Sequence, residues 1–242
     1  VNVISFIENN VALSELRRIV RDDPDINQLY KALPVEGFHV TVHGLVTERD
    51  ARRIFRVGWR SSLQRMSNGL SKIIAKLTEE PIVIHPRVIG FAAGNTVLTI
   101  RLQLELSELR QVSNLWRFIE KETGIFAGSL KGGKKNSIDP ANGTYGFHLT
   151  LGYFIPLTNA TRRDSLKRVI ISKVSRDFPK ILPIGTEIKV GSAQLCMFEN
   201  ITTFKAMTTN DLVAPSSDVR TPIMLILLSA FLVVGAIFTM QR

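Results

Sequence analysis

Apolar and polar positions alternate along residues 38–46 (FHVTVHGLV), between Gly37 and the polar run at 47–50 (TERD). A period of two in β-branched residues predicts a strand. The period then lengthens. In residues 47–77, Ile54, Val57, Leu63, Leu70, Ile73, Ile74 and Leu77 form an interrupted apolar stripe, which predicts a helix weakened at Ser67–Gly69. Thr47 can cap it, with Asp50 three residues on. Two more strands are predicted, at 81–91 (PIVIHPRVIGF) and 95–104 (NTVLTIRLQL), joined by a turn near Ala92–Gly94. Helical spacing returns over 107–124 at Leu109, Val112, Leu115, Trp116 and Ile119, with Gly124 as the stop.

After a long loop rich in Gly, Asn, Pro and Ser (127–146), the order of patterns repeats. Residues 147–155 (FHLTLGYFI) read as a strand, 161–174 as a helix, and 186–198 and 201–207 as a closing strand pair. The match is close at two places: FHVTVHG before TERDARR, and FHLTLGY before TRRDSLK. The duplication has a period of about 110 residues, too long for a solenoid repeat. It predicts two similar lobes facing each other around a pseudo-two-fold axis.

The repeated core, Phe-His-x-Thr, carries the candidate chemistry. On a helix, His39 and His43 would share a face one turn apart, at metal-ligand spacing. On a strand their side chains start about 13 Å apart, at roughly 3.3 Å per residue, so they are not co-ligands. Strand periodicity puts His39 and Thr41 on one face and Phe38 and Val40 on the other; His148 and Thr150 stand likewise against Phe147 and Leu149. A polar face backed by an apolar one is expected to line a cleft. Two imidazoles facing across it can divide an acid–base task, one taking a proton from water or a hydroxyl, the other giving one to a leaving oxygen. The threonine hydroxyls can donate to the non-bridging oxygens of a phosphate held between them. No metal or other cofactor is called for. His43 is expected to point the same way as His39 but further along, where it could line the cleft end, bind substrate or stand as a peripheral histidine, and His85, before Pro86, reads as structural or surface.

These two motifs, FHVT and FHLT, resemble those of the two-histidine phosphoesterase superfamily, over roughly residues 30–207. The run FAAGNTVLTIRL (91–102) is similar to an uncharacterised cyclic-phosphodiesterase-like branch of it. The resemblance implies a bilobal α+β fold, an antiparallel sheet in each lobe, and motif strands lining a central cleft. It implies metal-independent hydrolysis or transesterification of a phosphodiester, often cyclic, at a nucleotide or RNA end. Carried over, His39 and His148 are the acid–base pair, and Thr41 and Thr150 hold the phosphate. Lys131, Lys134 and Lys135 in the long loop could close over an anionic substrate, with Tyr145 available for stacking on a base. Asn95 and Thr96 read as turn residues.

Charge and hydropathy add three constraints. With 31 Lys and Arg against 21 Asp and Glu, the net charge of +10 favours an anionic partner. The single cysteine, Cys196, excludes an internal disulfide framework and a multi-cysteine zinc site; it reads as a packed thiol and fits a reducing compartment. Residues 221–241 carry no charge, and as a helix would span a bilayer core. The expected organisation is a phosphoesterase-like domain over 1–207 (lobes about 30–104 and 105–207), a linker over 208–220, and a C-terminal transmembrane anchor with the catalytic domain on the cytoplasmic side. Two other readings compete: a phosphate- or RNA-binding module without turnover, and a membrane-tethered adaptor whose basic faces meet anionic lipid.

Overall fold

A computed structural model describes residues 1–8, 11–24, 30–44, 59–93, 97–124, 146–154, 160–200 and 203–212. The elements in chain order are β1 (Asn2–Phe6), α1 (Val11–Asp22), β2 (Tyr30–Ala32), β3 (His39–Gly44), α2 (Trp59–Glu79), β4 (Arg87–Ala93), β5 (Val97–Gln103), α3 (Leu106–Thr123), β6 (His148–Phe154), α4 (Ala160–Ile181), β7 (Gln194–Asn200) and β8 (Thr203–Ala206). The fold class is α+β, with antiparallel strand pairing throughout these elements.

The strands form one eight-stranded sheet, in the order β4-β5-β6-β3-β1-β7-β8, with β2 paired to β6. One continuous sheet stands where a separate sheet for each lobe was expected. The motif strands β3 and β6 lie next to each other, and their ladder is a single pair, Val40 with Leu149. The closing hairpin of each half flanks the motif strand of the other half. The β4–β5 hairpin pairs with β6, whereas β7–β8 reaches β3 through β1. This crossing of the halves packs the two motifs together, although they lie far apart in the chain.

All four helices give their apolar stripes to one core: Leu13, Leu16 and Val20 from α1, Ile73 from α2, Leu115 and Ile119 from α3, Val174 and Phe178 from α4. They meet the strand residues Phe38, Val40, Leu149 and Ile100 there. The helix α3 ends before Gly124 as its spacing predicts. The expected weakness at Ser67–Gly69 is absent, because Gly69 lets α2 approach α3: a Cβ there would stand 2.8 Å from the Glu122 carbonyl oxygen.

Two strands are shorter than predicted. Residues 81–86 are not a strand; Pro81 and Pro86 lack the N–H that a ladder needs, and the carbonyls of Ile82 and Pro86 accept from Ala193 and Ile188 instead. Of 186–198 only the part from Gln194 is a regular strand, with Glu187 and Val190 making isolated bridges. His85 proves structural: its backbone N–H and Nδ1 both contact Glu108 Oε1, at 2.7 and 2.9 Å, at the start of α3. Cys196 is fully buried, and burial pushes its thiol up to about 11, as a packed thiol requires.

Among the described residues no helix is long and apolar enough to cross a membrane. The anchor at 221–241, the linker beyond Leu212, and the cap at Thr47 and Asp50 lie outside the described residues.

Candidate active site

Both motifs begin on a glycine, Gly37-Phe38-His39 and Gly146-Phe147-His148. In each, the histidine Nδ1 reaches back to the carbonyl of that glycine, at 2.8 Å for His39 and 3.0 Å for His148. A carbonyl only accepts, so Nδ1 carries the proton, and the Nε2 lone pair of the neutral ring is left for chemistry. The same local bond thus sets the tautomer of both rings. The repeat of glycine at this position is visible in the sequence, but its purpose is not.

Carried one residue either way from the Val40–Leu149 pair, the antiparallel register sets His39 across from Thr150 and Thr41 across from His148. Two histidines and two threonines then form a quadrilateral on one face. The histidines occupy one diagonal, which in a regular antiparallel pair separates neighbours by about 7–8 Å. The opposite face of the same strands is closed by Phe38, Val40, Phe147 and Leu149, none more than 3% exposed. His39 is 7% and Thr150 9% exposed, while Thr41 and His148 are more open.

Both motif strands depart from regular alternation immediately after the threonine. On β3, Ile4 faces Thr41 and Val3 faces His43, which leaves Val42 as an extra residue. On β6, Thr99 faces Thr150 and Leu98 faces Gly152, which leaves Leu151 extra. A bulge reverses the face of every residue beyond it. His43 is therefore turned into the core, and the expectation that it shares a face with His39 and Thr41 does not hold. It is fully buried, edge-on to Trp116 at 4.7 Å between ring centroids, and neither ring nitrogen has a hydrogen-bond partner among the described residues. It does not line the cleft. The carbonyls of both bulged residues find donors: Trp116 Nε1 bonds Val42 at 2.8 Å and the Leu33 N–H bonds Leu151 at 2.9 Å.

Gly152 occupies in the second half the position that His43 holds in the first. Here the ring of Tyr30 fills the space, and a Cβ on Gly152 would stand 2.5 Å from the Tyr30 hydroxyl and closer still to the Lys31 carbonyl oxygen. Gly152→Ala is expected to destabilise the fold by about 1–3 kcal/mol through overpacking, read as a lower urea midpoint with an unchanged m-value.

The surroundings of the two histidines differ. His39 pairs with Phe6 on β1, and the Phe204 ring from β8 lies 4.2 Å from the His39 ring, with Phe6 and Phe204 edge-to-face at 6.3 Å. His148 pairs with Arg101 on β5. Burial lowers the pKa of His39; the bond to the Gly37 carbonyl opposes this, and the nearby His148 lowers it further. The two rings therefore sense each other's charge. None of Phe6, Phe204 and Arg101 stands in the repeated motif, and only strand register brings them to it.

Among the described residues no group of three or more His, Cys, Asp and Glu converges as a metal site would require. Lys131, Lys134, Lys135, Tyr145, Asn95 and Thr96 lie outside the described residues.

No protein-family model and no curated protein matches the chain. Among solved structures it is similar to a conserved protein of unknown function from Agrobacterium tumefaciens, at 16% identity and a TM-score of 0.56, over 86% of this chain and 83% of that one. It also aligns with Kluyveromyces marxianus Usb1, at 9% identity and a TM-score of 0.44, over 77% of this chain and 89% of that one. A second structure of that protein, with uridine monophosphate, aligns at 10% identity and a TM-score of 0.40, over 79% and 96%. The likeness to the Agrobacterium protein is one of fold.

Proposed function

We propose that this chain is a phosphodiesterase that opens cyclic phosphates or cleaves phosphodiesters at nucleotide or RNA ends, with His39 and His148 exchanging the protons. One observation carries the reading: two copies of Gly-Phe-His-x-Thr lie on adjacent strands with both imidazoles held in the same tautomer by a glycine carbonyl.

His39, whose pKa burial depresses, enters neutral and serves as the base. Its Nε2 takes a proton from water as the water oxygen bonds to phosphorus. His148 serves as the acid and gives its Nε2 proton to the ring oxygen as that P–O bond breaks. One P–O bond forms and one breaks, leaving a phosphomonoester and a free hydroxyl. Proton return from His39 to His148 through solvent restores the starting state. Thr41 and Thr150, at the other corners, hold the non-bridging oxygens as charge builds on them. Both proton transfers and the charge stabilisation are supplied by these four side chains, so the proposed reaction is metal-independent.

The purified chain should open a nucleoside 2',3'-cyclic phosphate with a chelator present. Tight binding of phosphodiesters without product, across mono- and oligonucleotide substrates, would replace the proposal by a non-catalytic phosphate-binding module. The uncharged segment 221–241 extends the proposal to an enzyme anchored by its C-terminus, with the domain on the cytoplasmic side. Alkaline-resistant membrane sedimentation that is lost on removing 221–242 supports that part, and a fully soluble chain overturns it.

A further inference from the structure

The quadrilateral of His39, Thr41, His148 and Thr150 is nearly symmetric, but its two ends are not. Next to His39 stands Phe6, with Phe204 over both rings. At the opposite end, next to His148, stands Arg101. Arg101 is exposed, and no carboxylate pairs with it among the described residues. The next strand, β4, meets Arg101 with Gly90, and a Cβ built there would touch nothing within 4 Å. A one-residue shift between Val88 and Gly90 brings the side-chain-less residue opposite Arg101. Gly90 has φ 145, a conformation that L side chains rarely adopt, so the backbone keeps a side chain off the position that pairs with Arg101.

We infer that Arg101 forms a second anion subsite, outside the phosphate-cleaving quadrilateral, and that it selects substrates with a further phosphate beyond the scissile one. This rests on the phosphodiesterase reading for the identity of the first phosphate. Arg101 is a direct cross-strand neighbour of His148, with β-carbons about 5 Å apart, and lies on the side of His148 away from Thr41. Its fork of donors suits a phosphate monoester, which it can grip through two parallel N–H···O bonds. The aromatic pair at the other end takes the flat, apolar part of the ligand. The site thus has a polarity: aromatic group at the His39 end, scissile phosphate in the middle, second phosphate at the His148 end. A nucleotide with phosphates on both sides of its sugar carries these groups.

Calorimetric titration of the full chain with adenosine 3'-phosphate and adenosine 3',5'-bisphosphate tests this without requiring turnover. The wild-type chain should prefer the bisphosphate by about 10-fold or more, as a charge-assisted bidentate contact provides. Arg101→Ala should cut that preference at least fivefold, and Arg101→Lys should keep part of it. Phe204→Leu should weaken both ligands alike and leave the preference. A wild-type chain that binds the two equally, a preference that Arg101→Ala leaves standing, or an equal loss on both ligands in Arg101→Ala each overturns the subsite; the last would assign Arg101 to the scissile phosphate. Parallel assays on a 2',3'-cyclic phosphate separate the two claims. Absent turnover with the Arg101-dependent preference intact removes the phosphodiesterase and leaves the subsite, and turnover without the preference does the reverse.

Discussion

Replacing His39 or His148 by alanine should lower kcat/KM on a 2',3'-cyclic phosphate by about 10²- to 10⁴-fold each, the range for loss of a positioned acid or base. The double variant should be little worse than either single one, because in the proposed mechanism the two rings act in one concerted exchange and neither works without the other. The pH profile should separate their roles. The base must be neutral, and burial holds His39 below the ordinary histidine value of 6.5, so the rising limb of kcat/KM should fall on the acid side of that value. His39→Gln keeps a polar side chain there but cannot take up a proton, so it should lose that limb along with the rate. Full activity in either alanine variant would remove the mechanism. Both variants should retain the wild-type unfolding free energy, read from urea denaturation, to within about 1 kcal/mol, which tells a lost proton carrier from a lost fold.

The second large effect is on stability in acid. Burial lowers the pKa of His43 from 6.5 to about 4. The unfolded chain takes up this proton near pH 6.5, whereas the folded chain refuses it until about pH 4. Between those values the unfolded state binds more protons, so folding stability falls as pH falls. The stabilisation is fully present above 6.5 and is gone below about 4, a loss of about 3 kcal/mol at 1.36 kcal/mol per unit. The lowered pKa of His39 acts in the same direction. Urea midpoints at pH 7.5, 6 and 5 measure the slope. His43→Leu, similar in volume and without a titrating group, should remove the His43 share of it. The same substitution should raise stability at neutral pH, because it deletes two buried nitrogens that have no partner among the described residues. A slope unchanged in His43→Leu would show that other groups set the acid limit.

The two halves of the motif are legible in the chain because they are local. Alternation marks His39 and Thr41 as one face of a strand, and the second copy at His148 and Thr150 makes the pattern more than coincidence. The strand-by-strand neighbours are not legible. Nothing in the residues around His39 tells that Phe6, more than thirty positions away, stands beside it, or that the strand next to His148 brings Arg101. Pairing partners are chosen by the whole sheet: β1 inserts between β3 and β7 because all three bury one face in the same core.

His43 marks the boundary between the two kinds of information. Its residue type and spacing place it four positions from His39, on the same face of an ideal strand. One extra residue at Val42 turns it into the core, where the Trp116 ring gives it an apolar neighbour and Trp116 Nε1 holds the bulged carbonyl. Alternation cannot register a bulge, because a bulge depends on what the partner strand and the covering helix offer. By itself the chain's pattern determined the order of strands and helices from His39 onward, though not all their bounds, the apolar backing of the motif strands and the acid–base pair to be tested. The tertiary structure alone decided that those strands touch at Val40 and Leu149, that the two histidines have unlike neighbours, and that His43 is buried. The physical reason is range: periodicity and turn chemistry act over a few residues, whereas register, bulges and burial are settled only when distant strands and helices compete for one core.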